Sequence, residues 1–156
     1  MAQLSDSIEK FIKDLMDEDL QIEVRRNELA QHFNCAPSQI NYVLSTRFTI
    51  DHGYIIESRR GGGGFIRIMR MHEDGSEALL TAILERIGTS ISEENASAIL
   101  QHLLLSNIIT KDEMLLMHAG TTKNSLALPV NAKDILRASV LKAMVIQAFR
   151  NAEVRK

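Results

Sequence analysis

Between Asn27 and Thr46 the chain reads NELAQHFNCAPSQINYVLST. Two short runs of helical apolar spacing, residues 27–33 and 37–46, are broken at Asn34-Cys35-Ala36. A helix-turn-helix needs a small residue where its helices cross, a turn residue that tolerates positive φ, and apolar anchors on the second helix. Ala30 supplies the first, with Leu29 and Phe33 filling the core beside it. Asn34 can enter the left-handed region, and Pro37 suits a first helical position, where its missing N–H costs nothing. Ile40 and Val43 dock the second helix, which turns Ser38, Gln39, Asn41, Tyr42 and Ser45 outward with Thr46 and Arg47 at its end. Exposed amides and hydroxyls are what base edges and phosphates require. Ser38, Gln39, Asn41, Tyr42 and Thr46 are therefore candidate DNA contacts, and Arg47, Arg25 and Arg26 candidate phosphate ligands. An ordinary antiparallel helix pair with a polar face is the competing reading of this stretch.

The adjoining hairpin favours DNA. Residues 53–58 and 65–71 alternate partly, as strands with one buried face do, and their tip is Arg59-Arg60-Gly61-Gly62-Gly63-Gly64. A β-ribbon tipped by two arginines, directly after a helix-turn-helix, is a wing placed to reach a groove or a phosphate backbone. Arg59, Arg60, Gly61, Gly62, Gly63, Gly64 and Arg67 join the candidate DNA contacts. A nucleotide-binding loop is excluded, because no Gly-Lys-Ser/Thr comes after the glycines and strand rather than helix comes next. Each glycine costs about 0.5–1 kcal/mol of ordering relative to alanine, so four together suit close approach or mobility better than filler. Their ordering cost grows with temperature, which predicts DNA affinity that falls on heating.

Working outward, the N-terminal segment 5–17 carries Ile8, Phe11, Ile12, Leu15 and Met16 at helical spacing behind a Ser cap. Leu20, Ile22 and Val24 alternate briefly, as a short strand does. Residues 72–75 are polar and turn-like and mark a domain boundary. Beyond them everything reads as helix, over 76–87, 93–105, a short segment from the capping box Thr110-Lys-Asp-Glu113 to His118, and about 131–152. In the last helix, residues 138–148 are apolar nearly all round and ask for cover on most sides. A partner subunit could complete it, so a homodimer is expected.

The net charge of −2 hides an asymmetry. Residues 1–19 hold two Lys against six acids, a net of −4, whereas residues 20–71 hold seven Arg and four acids, a net of +3. The central cations are all arginine, suited to bidentate phosphate contact. Apolar residues at 45% and charged at 24% fit a folded globular chain, and no run suits a membrane span. The N-terminus lacks the basic start of a signal peptide, and one cysteine allows no internal disulfide, so a cytoplasmic protein is expected. Cys35 reads as a small packing residue. The five histidines show no metal-ligand spacing, and no nucleophile–base arrangement is present. Neither a cofactor nor an enzyme is expected.

The stretch NCAPSQINYVLSTRFTIDHGYIIESRRGGGGFIRI closely resembles the CtsR family, the class III stress-gene repressors of Gram-positive bacteria. The PSQINYV helix and the RGGGG wing are its distinctive motifs, and the resemblance extends more weakly over the rest of the chain. It implies a winged helix-turn-helix followed by a helical dimerisation domain. It also implies repression of Clp protease and chaperone genes, release from the operator on heat shock, control by a protein arginine kinase, and removal by Clp proteolysis. The kinase is an implication of the same resemblance; Arg60, immediately before the glycines, is the expected target, with Arg59 and Arg67 competing.

The expected architecture is α+β. A winged helix-turn-helix with a two-stranded wing spans 1–72, and an all-α dimerisation domain of about four helices spans 73–156. The expected partners are double-stranded operator DNA, a second copy of the chain, a protein arginine kinase and the Clp machinery. A protein-interaction adaptor that binds a protease or kinase through the winged domain is the alternative.

Overall fold

The first apolar stripe forms α1, Ala2–Leu15. A computed structural model describes residues 2–17, 19–59, 64–72, 74–127 and 129–156, which divide into two compact units, Met1–Glu77 and Ala78–Lys156. Helix α1 begins three residues ahead of the expected Ser cap, so Ser5 lies buried inside the helix. Ile8, Ile12 and Met16 recur every four residues and bury completely, while Leu15 stays exposed. The stripe is thus narrower than the sequence spacing suggests.

Strand β1, Gln21–Arg25, leads straight into α2, Arg26–His32, and α3, Pro37–Arg47. At the turn between the helices Asn34 takes φ 50°, and Cys35 N–H donates to Ala30 O at 2.9 Å. Ala30 is buried, as a close helix crossing requires. Pro37 stands at the start of α3, and Ile40, Val43 and Leu44 turn inward. A 3₁₀ turn at Ile50–His52 ends on Gly53 and delivers the chain to β2, Tyr54–Arg59, and β3, Phe65–Arg70.

The expected ribbon of two strands has a third. β1 pairs antiparallel with β3, giving the order β1-β3-β2. Arg26 N–H to Gly64 O at 2.9 Å and Arg70 N–H to Leu20 O at 2.8 Å extend the β1–β3 pairing at both ends. One sheet face gives Ile66 and Ile68 to a core shared with Ile8, Ile12, Leu29, Ile40 and Val43, against which Ile22, Val24 and Ile56 also pack. At roughly 1.5–3 kcal/mol per buried large aliphatic side chain, this shared core fixes where α3 and the wing stand relative to each other.

The second unit is helical, with α4 at Ser76–Ile87 (starting just before the division), α5 at Glu93–Leu105, α6 at Lys111–Ala119 and α7 at Val130–Arg155. Ser92 Oγ caps α5 by accepting from Asn95 N–H at 3.1 Å, and Thr110 with Glu113 forms the expected capping box on α6. The apolar run of α7 is covered on one side in the single chain: Ala138, Leu141, Val145, Ala148 and Phe149 are buried, while Val140, Met144 and Ile146 are half-buried and Ala143 is exposed. Buried beside them is Arg137, whose guanidinium donates to Thr121 O at 2.6 Å and Ile91 O at 3.0 Å, and to Asp134 Oδ1. No described helix is long and apolar enough to cross a membrane.

Candidate nucleic-acid interface

Burial of Ile40, Val43 and Leu44 leaves the other side of α3 to solvent. Ser38, Asn41, Tyr42 and Ser45 are exposed there at positions one helical turn apart, and Tyr42, the one aromatic of α3, is 60% exposed. Gln39 lies half-buried at the flank of this stripe. Ser45 Oγ and Thr46 Oγ1 donate to the carbonyl of Tyr42 at 3.1 and 2.7 Å. With their protons committed to the helix, these hydroxyls present lone pairs outward, so they suit donors on a base edge better than a phosphate oxygen.

A groove of about 440 Å³ runs between α3 and β2, with Asn41, Ser45 and Ser58 polar on its lining and Leu44, Tyr54 and Ile56 apolar. It links the outward stripe of α3 to the wing. Phe48 and Tyr54 pack edge to face with ring centroids 4.9 Å apart, which fixes the junction between the end of α3 and the start of the wing.

The arginines fall into three environments. Arg47 Nη1 takes Asp6 Oδ1 at 2.7 Å and Glu9 Oε1 at 2.5 Å, and Glu9 also receives Lys13 Nζ at 2.6 Å. Hydrogen bonds from Lys13 and then Arg47 hold the Glu9 carboxyl below its usual value, while those to Asp6 and Glu9 push the Arg47 guanidinium up. Arg67, central in β3, spans two acids in cross-strand register: Nη2 to Glu23 Oε1 at 2.8 Å and Nη1 to Glu57 Oε2 at 3.4 Å. Its guanidinium is pushed up by the bond to Glu23. Arg67 therefore ties the three strands together at mid-sheet.

At the wing foot the arrangement is different. Arg25 is exposed, and Arg26 lies against Gly64 with its Nε buried and unpartnered among the described residues. Gly64 takes φ +75°, and a Cβ there would come within 3.2 Å of Arg26 Cβ and Nη1. Arg59 closes β2 opposite Phe65. Arg60, Gly61, Gly62 and Gly63 lie outside the described residues, as does the wing-tip geometry expected of them.

The acids were the part that sequence spacing missed. Asp6, Glu9 and Lys13 stand at helical intervals on α1, and Glu23 and Glu57 face Arg67 once the strand register is known. The first set was visible as a charged helical face; the second depends on pairing that no local signal announces. His32 serves packing, its ring lying tilted on Phe11 and edge-on to Phe33, with centroids 4.9 Å away in both cases.

Comparison with known proteins assigns both halves. Residues 3–72 match the CtsR N-terminal HTH domain, and residues 74–146 match the CtsR C-terminal dimerization domain. The chain is 41% identical over 147 residues to the transcriptional regulator CtsR of Staphylococcus aureus, covering 93% of this chain and 96% of that protein. It is 40% identical over 148 residues to the same-named regulator of Geobacillus stearothermophilus, with the same coverage. A crystal structure of CtsR in complex with a 26bp DNA duplex shares 38% identity over 94% of this chain and 98% of that one, with a TM-score of 0.47. With both domain models matched in order and such identity along nearly its whole length, the chain belongs to the CtsR family of transcriptional regulators.

Proposed function

We propose that the chain is a dimeric repressor that binds operator DNA in a sequence-specific way, reading bases with α3 and gripping the backbone with the wing. The observation that carries this is the outward stripe of α3. A helix held by Ile40, Val43 and Leu44 against a core presents Ser38, Asn41, Tyr42 and Ser45 in one row, with a groove leading from that row to a β-ribbon. Four polar-tipped side chains on one exposed face suit the major groove, where donors and acceptors distinguish all base pairs. An adaptor docking through this helix would instead present an apolar outer face. In the same reading, residues 1–72 bind DNA and residues 73–156 dimerise, so that two wings meet adjacent half-sites.

The family resemblance supports finer statements. The genes repressed are those of Clp proteases and chaperones, heat releases the repressor, and a protein arginine kinase and Clp proteolysis control it. Arg60, immediately before the glycines, is the residue proposed for modification. Phosphorylation would replace a bidentate cation by a group of net negative charge facing phosphate. Arg67 is the less reachable arginine, engaged by Glu23 and Glu57.

A gel shift against a binding site selected from random DNA tests the central statement. Affinity that falls steeply with salt, and far below specific affinity for scrambled DNA, is expected. Equal affinity for all sequences, or none at low salt, would overturn it. Circular dichroism and DNA affinity tracked over one temperature ramp test release by heat: affinity should fall before the fold melts.

A further inference from the structure

We infer that a cavity at the end of the sheet away from the wing binds a small molecule that carries a terminal phosphate. The cavity, of about 740 Å³, is lined only by residues of the first unit, with His52, Tyr54, Arg70 and His72 as its polar members and Leu20 and Met71 as apolar wall. Arg70 ends β3 opposite Tyr54, at the far end of the β2–β3 ladder from Arg59 and Phe65. Strand alternation places it on the face that carries Ile66 and Ile68, where a third apolar residue would have continued the core.

An arginine in that place needs a reason. Arg70 is half-buried, yet its guanidinium pairs with no carboxylate among the described residues, whereas Arg47 and Arg67 each hold two. Glu77 also lines the cavity and makes no ion pair with it. A partly desolvated cation without a counter-charge is unfavourable until an anion joins it. The groove beside α3 and the cavity at Cys35 have no cation in their lining.

His52 adds a second donor. Its Nδ1 meets Thr49 Oγ1 at 2.7 Å, and when that hydroxyl donates, the ring proton sits on Nε2. A guanidinium and an imidazole N–H around one anion suit a phosphoryl group, whose oxygens accept from several donors at once. A terminal phosphate can enter to meet a half-buried arginine, while a DNA phosphate has sugar on both sides and stays outside. Leu20, at 40% exposure, and half-buried Tyr54 leave apolar surface beside the donors for the rest of the molecule.

Calorimetric titration of the full chain with phenyl phosphate and with inorganic phosphate tests this, and it is made without DNA, so its failure leaves the reading of α3 untouched. Both should bind, phenyl phosphate the tighter, and Arg70→Gln should weaken both about 10-fold or more. Arg86→Gln removes an exposed arginine of α4 outside the cavity and should bind as the parent does. In the parent, phenyl phosphate should shift the amide resonances of residues 52–54 and 70–72, a readout that stands even if Arg70→Gln does not fold. No binding, equal affinity in a folded Arg70→Gln, or shifts confined to the outward stripe of α3 would each overturn the inference. So would an Arg70→Gln protein that lowers the salt slope of DNA binding by about 1 and leaves phosphate affinity unchanged, since Arg70 would then be a contact to the DNA backbone.

Discussion

Arg47 Nη1, at the end of α3, lies 2.5 Å from Glu9 Oε1 of α1, so the acidic entry helix holds the helix that presents the outward stripe. This gives Arg47 two separable roles. Its Nη1 is engaged by Asp6 and Glu9, and the proposed phosphate contact would fall to the rest of the guanidinium. Arg47→Ala should weaken binding to every sequence and lower the salt slope by about 1. Glu9→Gln removes one of the two charges that hold Arg47, leaving Asp6, and takes away no cation, so it should weaken the α1–α3 tie and leave the slope unchanged. Salt titrations of the two variants check this, and equal slopes would assign Arg47 to positioning alone.

Base preference should centre on Asn41. Its amide lies mid-stripe and exposed, and a bidentate Asn–adenine contact is worth about 1–3 kcal/mol of discrimination. Half-buried Gln39 stands to the side, so Gln39→Ala should relax base preference less than Asn41→Ala. Selection from random DNA with each variant measures the difference. Preference lost equally in both would require α3 to roll toward Gln39 on the DNA.

Gly64 should be the least replaceable described residue of the wing. Alanine there meets φ +75°, which costs an L residue about 1–2 kcal/mol, and its Cβ presses on Arg26. Gly64→Ala should therefore lower the stability of the full chain by at least that amount in urea. Arg26→Ala in the Gly64→Ala background removes the contact with Nη1 but keeps that with Cβ, so it should recover part of the steric cost and leave the φ strain. A double-mutant cycle with no coupling would show that Arg26 gives way freely.

Local chemistry made much of this fold legible. Asn34 and Pro37 marked the helix-turn-helix turn, and Ser92 and Thr110 with Glu113 marked helix starts, because caps and turns are written within a few residues. β1 was visible only as a weak alternation, and its place beside β3 was not, since five residues cannot declare a partner forty or more positions away. The α3 stripe was legible because the apolar positions Ile40 and Val43 fix its opposite face. The engagements of Arg47 and Arg67 were not, for they depend on long-range packing. Arg137 carries no local signal of its role, for an arginine beside an apolar run has two choices, to reach solvent or to find carbonyls, and the packing decides between them.

Arg137 found carbonyls, and its removal should be the most damaging change in the second unit. It bridges the segments before α5, after α6 and within α7 through Ile91 O, Thr121 O and Asp134. Arg137→Ala strands two backbone oxygens and opens a cavity, for an expected loss of about 3–5 kcal/mol. Arg137→Lys keeps the charge but cannot span the same acceptors, and should fall between the two. Urea unfolding at fixed protein concentration reads the order. A loss below about 1 kcal/mol for alanine would mean that water replaces the guanidinium.

The acid limb of stability in the second unit should track Glu113. Burial alone would raise its carboxyl, but bonds from Thr110 N–H and Asn151 and the charge of Arg155 outweigh that and hold it below the ordinary value. A carboxyl depressed in the folded state contributes stability fully above its unfolded pKa of about 4.3, and loses it as pH falls through the lower folded pKa. Glutamine at this position still accepts from Thr110 N–H and keeps the capping box, while it gives up the charge that meets Arg155 at 3.6 Å. Glu113→Gln should thus cost under about 1 kcal/mol at neutral pH, since both partners are partly solvated. The gap between variant and parent should then close as acid protonates the parent. Glu113→Ala loses the cap as well and should stay lower by about 1 kcal/mol at every pH. Urea midpoints of the three proteins, measured from about pH 7 to about pH 3, decide it; a parent–glutamine gap that does not narrow would place the acid sensitivity at another carboxylate.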